Sequence, residues 1–375
     1  MDIYVMDTDF DVVGVLDKYS SLIWTDRLRG YGDFEIYTPF DLSILKLCKQ
    51  DYYININYSD RTMIIEGIEI LTDVDGNNLR ITGRSLESIL DRRIVWDKTV
   101  VKGNMEDAVK TLITESIINP TYKPKTVPKT TVSPRKISNF IFEDLPAGDP
   151  LKSLTINKSQ YTGDNIYDVL MKFCDAFQSD GLGFKVILND NHQFVFSLYS
   201  GIDRSYTQDA LPYIIFSPDY DNVVNTNYLD DMSTMKNVTL VLGEGEDDAR
   251  VRIIVGSTKG LNRRELLTDA RDLRSEDYDS TTQYKNALKI RGYEKLVENC
   301  RAVSYEGEVE AQRQFVYGRD FLIGDIIQIE NEYGIKGNAR VIEWVISDSS
   351  SGFETYPTFD GVQLIDDTEE EEDDD

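Results

Sequence analysis

Met63-Ile64-Ile65-Glu66-Gly67-Ile68-Glu69-Ile70-Leu71 and Leu79-Arg80-Ile81-Thr82 are two β-prone runs on either side of Asp73-Val74-Asp75-Gly76-Asn77-Asn78. A polar, glycine-containing stretch between two such runs is a hairpin signal. Upstream, residues 3–5, 21–25 and 34–37 are further short β-prone runs, and 52–58 alternates sides as a half-buried strand does. Downstream, Ser85 is placed to cap a short helix over 85–93. Residues 1–97 therefore read as one small antiparallel barrel or sandwich.

Beyond it the pattern changes. Asn104 caps a helix whose apolar stripe is Met105, Ala108, Val109, Leu112, Ile113 and Ile117. Six of the ten prolines fall between Pro120 and Pro150, which reads as a loop or extended arm rather than a core. That arm carries Lys123, Lys125, Lys129, Arg135 and Lys136, suited to a solvated loop or to crossing an acidic neighbour. A helix over 165–178 and a hairpin over 183–199 complete an α/β region spanning 98–212, with Gly181 in the C-cap position. Strands return at 214–216, 223–229, 237–242 and 250–255. Helices are expected at 262–274 and 281–299, and strands again at 301–314, 325–330 and 338–347. The organisation is a second β-rich block formed by 213–258 and 301–365, interrupted by a helical insertion at 259–300. No fixed-period repeat is visible, although the two β-rich blocks are of similar size.

The 375 residues carry a net charge of −27, and 41% are hydrophobic, enough for real cores. Nine acids and no base lie within 366–375, a stretch expected to be disordered; the rest of the chain still holds −18. Such a body repels phosphates, which argues against sequence-specific DNA binding. The three cysteines, Cys48, Cys174 and Cys300, form no paired motif and read as free thiols in a reducing compartment. No secretion signal and no long apolar run is present in this sequence.

A search for chemistry returns little. The single histidine, His192, reads as a hairpin-loop residue without a nucleophile or orienting acid. The acidic loop at 73–77 lacks calcium-loop spacing and suits a hairpin turn, and the acids at 244–248 suit a solvated hairpin loop, with a divalent ion held through carboxylates as the alternative. Gly243-Glu244-Gly245 is no phosphate cradle, because acids crowd it. The chain is read as having no catalytic residues, metal site or cofactor.

Four ordered segments are more specific. They are Gly30-Tyr31-Gly32-Asp33-Phe34-Glu35-Ile36-Tyr37-Thr38-Pro39; the run from Ile81 through Gly83-Arg84-Ser85 to Ile94; Val241-Leu242-Gly243-Glu244-Gly245-Glu246; and Gly324-Asp325-Ile326-Ile327-Gln328-Ile329 with Tyr333-Gly334-Ile335 and Arg340-Val341-Ile342-Glu343. Pro357-Thr358-Phe359 closes the last. In this order they resemble the tail-hub (tail-associated, baseplate-hub-like) proteins of long-tailed phages, over roughly residues 1–365.

The resemblance implies an α+β, mainly β chain: two tube-like antiparallel β-barrel hub domains with α/β insertions, assembling as a pseudo-sixfold trimeric ring. It implies a structural, non-enzymatic adaptor in the virion, at the phage tail tip, made in the host cytoplasm. Its implied partners are a homotrimer's own copies, the distal tail protein ring, the tape-measure protein, and tail fibre or receptor-binding proteins, with DNA leaving through the channel. Gly32, Asp33, Phe34, Pro39, Gly83, Arg84, Ser85, Gly243, Gly245, Gly324, Asp325, Tyr333, Gly334, Arg340 and Glu343 are then structural. Gly32-Asp33 turns the chain into a strand, Gly83-Arg84-Ser85 passes from strand to helix, and Gly324-Asp325 starts a strand facing the ring interface. The alternatives are a tail-associated cell-wall glycosidase or peptidase, or a receptor- or carbohydrate-binding module.

Overall fold

A computed structural model describes residues 1–73, 76–120, 134–278, 280–309 and 314–364. The acidic 366–375 stretch and Lys123, Lys125 and Lys129 of the basic arm lie outside the described residues.

The first block comprises β1 (Ile3–Met6), β2 (Val12–Leu16), β3 (Ser21–Arg27), β4 (Asp33–Pro39), helix α1 (Leu42–Leu47), β5 (Tyr53–Ile56), β6 (Met63–Asp73) and β7 (Gly76–Ser85). The hairpin that opened the sequence reading is β6–β7, with Asp73 opposite Gly76. The helix expected over 85–93 shrinks to α2 (Ser88–Asp91), and Ser85 does not cap it. Ser85 ends β7, and its hydroxyl accepts from Gly32 N at 2.7 Å, so a strand-to-strand tie replaces the cap.

The α/β region holds β8 (Thr99–Asn104), α3 (Met105–Ile113), β9 (Phe140–Glu143), β10 (Thr155–Tyr161), α4 (Ile166–Ala176), β11 (Gly183–Leu188) and β12 (Phe194–Tyr199). Asn104 caps α3 through its side-chain oxygen, as the sequence indicates, and Asn165 caps α4 in the same way. The apolar stripes of both helices enter one core with Phe184 and Phe196. The proline-rich segment is not wholly an arm. β9 pairs in parallel with β12, and Phe140, Leu145 and Leu151 are buried in that core. Proline density hid this four-residue strand.

The second block opens with β13 (Ile215–Phe216) and β14 (Val223–Asp231). A separate compact unit, 228–304, follows. It contains β15 (Val238–Leu242), β16 (Arg252–Val255), β17 (Glu265–Asp269) and α5 (Thr281–Val297). The expected helical insertion spans 259–300, whereas the unit also takes in β15 and β16, and within the helix expected over 262–274 the chain forms the strand Glu265–Asp269 instead. β17 pairs in parallel with β15, and Thr268 bonds Thr239 across them at 2.8 Å. Tyr284 and Leu288 of α5 cover that sheet. Such pairing over a long connection overrides local helix propensity. The chain then completes the second block with β18 (Ala302–Val309), β19 (Ile326–Glu330), β20 (Lys336–Ser349) and β21 (Gly352–Leu364).

Both blocks share one sheet of 13 strands, ordered β14-β18-β21-β20-β3-β4-β7-β6-β5-β1-β2, with β19 on β20 and β13 on β19. Within it the blocks are two renderings of one pattern. The order β3-β4-β7-β6-β5-β1 is matched by β14-β18-β21-β20-β19-β13. The registers agree in detail. In both long hairpins the outermost pair sets a positive-φ glycine opposite its partner, Asp73 with Gly76 (φ 141°) and Ser349 with Gly352 (φ 137°). Both carry a bulge at the same step, between Ile65 and Gly67 and between Val341 and Glu343. The pairs flanking it correspond too: Ile65 with Gly83 matches Val341 with Phe359, and Gly67 with Thr82 matches Glu343 with Thr358. One difference is that β1 joins β5 antiparallel whereas β13 joins β19 in parallel.

Candidate functional site: the joint between the strand blocks

The blocks meet where β20 pairs antiparallel with β3, from Glu343 opposite Arg27 to Ser349 opposite Ser21. The bulge at Ile342 explains how one strand edge serves two partners. Before it, β20 pairs with β19 (Lys336–Arg340 side); after it, with β3. A bulge bends the strand and increases its twist, which re-aims the edge.

Several residues singled out in the sequence sit on this joint. Arg27 is the hub. Its Nε donates to Glu343 Oε2 at 2.6 Å and its Nη1 to the Tyr31 carbonyl at 3.1 Å, and it also pairs with Asp33. Asp33 begins β4, as expected for the Gly32-Asp33 turn. Arg84 lies 4.7 Å over the Tyr31 ring and donates to Glu66 (2.6 and 3.0 Å) and Asp91 (2.9 Å). These half-exposed ion pairs add orientation more than stability.

Close backbone approach explains the glycines. A Cβ on Gly83 would lie 1.8 Å from the Ile64 carbonyl oxygen and 2.7 Å from Phe34 Cε1, so Phe34 covers a bare strand position. Pro39 closes β4 opposite Asn78, where the strand ends.

Gly324 (φ 98°) and Asp325 immediately precede β19. Asp325 is 2% exposed and accepts from Ile202 N (2.8 Å), Arg204 Nε (2.8 Å) and Leu322 N (3.1 Å). Arg340 Nη1 donates to the Gly324 carbonyl at 2.6 Å, and burial, with Arg29 nearby, lowers its pKa. Two sequence-selected sets lie elsewhere. Tyr333 and Gly334 (φ 76°) form the turn between β19 and β20, with Tyr333 81% exposed. Gly243 and Gly245 belong to the 228–304 unit, where Gly243 abuts Tyr284.

Beneath the joint is a polar cluster that no short motif signals. Asp26 is fully buried and accepts from Trp24 Nε1 (2.9 Å), Ser59 Oγ (2.6 Å) and Tyr317 OH (3.2 Å). Burial raises its pKa to about 6, against the opposing pull of Arg61. Burial and the Asp26 charge likewise raise Tyr317. Arg61 pairs with buried Glu87 and donates to Tyr199 OH at 2.9 Å, and Glu87 accepts from Val186 N at 3.0 Å. The cluster thus ties the first block to the α/β region and, through Tyr317, to the second block. Only the spacing of isolated polar residues among apolar ones could have pointed to it.

His192 adopts φ 57° in its hairpin turn, consistent with a turn residue. Cys48 and Cys174 are buried thiols pushed up to about 12 by burial, and Cys300 is exposed and unpaired. Among the described residues no group of three or more His, Cys, Asp or Glu side chains is placed to hold a metal, and no helix is long and apolar enough to cross a membrane.

No curated protein matches this chain. Solved structures do. A tail protein from Neisseria meningitidis superposes with a TM-score of 0.58 at 13% identity, covering 96% of each chain. The 43 kDa tail protein of prophage MuSo2 from Shewanella oneidensis gives 0.59 at 10% identity, covering 96% of this chain and 97% of that one. Prophage tail protein gp18 from Listeria monocytogenes gives 0.52 at 12% identity, covering 96% and 94%. These likenesses establish a shared fold. The sequence itself matches the family described as Siphovirus ReqiPepy6 Gp37-like protein over residues 2–359, and the chain belongs to that phage tail protein family.

Proposed function

We propose that this tail protein is the tail-tip hub: a trimer whose six strand blocks form a ring between the hexameric tail tube and a threefold tip. The observation that carries this reading is the internal duplication. Two blocks with the same strand order, turn and bulge positions in one chain give three copies six similar lobes. A duplicated chain is the simplest way to match threefold to sixfold symmetry, since ring interfaces are heterologous and need a closing rotation. The distal tail protein ring is the neighbour above, the tape-measure protein ends in the ring, and DNA leaves through the channel. Tail fibres or receptor-binding proteins attach around it.

The same chemistry supports a structural and not a catalytic role. Asp26, whose pKa burial raises, is sealed beneath Trp24 and Tyr317, and a general acid must reach its substrate. Two-dimensional electron-microscope averages of the purified, lightly cross-linked chain test the proposal. Rings of three copies with six lobes around a channel are expected. Compact single particles, even beside the neighbouring ring protein, would refute it.

A further inference from the structure

Beside the polar cluster of the joint lies a cavity of about 240 Å³ walled by four aromatic residues, Tyr58, Tyr317, Trp344 and Phe353, with Val316 and Ile346 also in its lining. Strand register brings the rings together. Along β20, Trp344 and Ile346 share one face of the sheet. Across the hairpin, Ile346 sits opposite Thr355 and Asp348 opposite Phe353, so Phe353 joins that face. Tyr317, in the segment between β18 and β19, stacks on Trp344 with ring centroids 4.7 Å apart and planes at 14°. Tyr58, just past β5, has its ring 5.1 Å from that of Phe353. Trp344 is 1% exposed and Tyr58 is 42% exposed, so the cavity runs from an open side at Tyr58 to a closed floor at Trp344.

We infer that this cavity binds a quaternary ammonium group, the trimethylammonium of a choline-type head group. Charge, hydration and size each select that class. Aromatic walls attract a cation through the ring quadrupoles, and several rings around one cation make the cage that recognises such groups. The Tyr317 hydroxyl donates to the Asp26 carboxyl at 3.2 Å, and a phenol bonded to a carboxylate carries a more electron-rich ring. Arg61, whose charge also reaches Tyr317, is itself paired with Glu87 and Asp60. The −18 carried outside the acidic stretch draws cations toward the chain. A lysine ammonium is compact and strongly hydrated, and walls of rings and aliphatic side chains repay little of that hydration. A trimethylammonium group has no N–H to satisfy and presents methyl groups to the same walls. The volume is below the roughly 300–1,000 Å³ of drug-sized sites, which suits a head group rather than a larger ligand. The site lies within a single chain and does not depend on the proposed ring.

The test titrates the full chain with choline and, separately, with 3,3-dimethylbutanol, its neutral isostere, by saturation-transfer NMR at fixed ionic strength. Saturable choline binding with Kd of about 1 mM or tighter is expected, with the neutral isostere about tenfold weaker. Tyr58→Leu and Phe353→Leu keep apolar bulk and each remove one ring. Each should weaken choline about fivefold or more while leaving the isostere's affinity and the circular dichroism unchanged. Phosphatidylcholine vesicles separate the sources of the group. Co-sedimentation with them assigns a head group displayed on a surface, and binding of free choline without co-sedimentation assigns a small solute; both support the site. No saturable choline binding up to about 50 mM, equal affinity for choline and its isostere, or wild-type choline affinity in both leucine variants overturns it.

Discussion

Asp26 offers a quantitative test of how the joint is held. Its carboxyl lies in the core of the joint with Trp24, Ser59 and Tyr317 as hydrogen-bond donors, and burial lifts its pKa from 3.8 to about 6. A lift of roughly two units at about 1.4 kcal/mol per unit is about 3 kcal/mol. The folded carboxyl keeps its proton to a higher pH than the unfolded one. Its stabilising contribution is therefore whole below about 3.8 and is lost as pH rises through about 6. Carboxylates held low by partners, such as Glu66 beside Arg84 and Arg92, work in the opposite sense: their contribution is lost as pH falls. The raw pH profile therefore mixes both. The difference between wild type and Asp26→Asn isolates this group, because the amide does not titrate. Urea midpoints followed by tryptophan fluorescence from about pH 4 to about pH 7 should show Asp26→Asn gaining about 2 kcal/mol relative to wild type as pH rises, the rest of the linkage lying outside this window. Parallel profiles for the two proteins would refute a buried, proton-holding Asp26.

Further expectations follow from the same contacts. Gly83→Ala should fail to fold or lose about 3 kcal/mol or more in chemical unfolding, because its Cβ meets the Ile64 carbonyl at 1.8 Å. Gly76→Ala has open space around it but φ 141°, so it should cost only about 1–3 kcal/mol of backbone strain in the same assay. Arg61→Ala leaves Glu87 as a buried charge without its cation and should cost about 3–5 kcal/mol in urea unfolding, with Glu87→Gln/Arg61→Met recovering most of it. A reconstructed ring should present a net negative lumen, given the −18 outside the acidic stretch; a strongly positive lumen in a cryo-electron-microscopy map would refute that.

The primary sequence determined the features that local physics fixes. Alternating side chains placed β5, two β-prone runs around a polar loop placed β6 and β7, and Asn104 placed the start of α3. Cap and turn chemistry acts over a few residues, so it is legible there. Only the tertiary structure decided what depends on distant partners. Ser85 became a tie to Gly32 instead of a cap, and 265–269, within the stretch expected as a helix, became a strand that pairs with β15. Asp26, Arg61, Glu87 and Tyr317 came together from four separate parts of the chain. The duplication itself is nearly silent in residue identity, with Gly83 standing where the second block has Phe359. Strand order, register and bulge position are properties of backbone hydrogen bonding, which many different side chains satisfy, so the repeat shows in the sheet and not in the sequence.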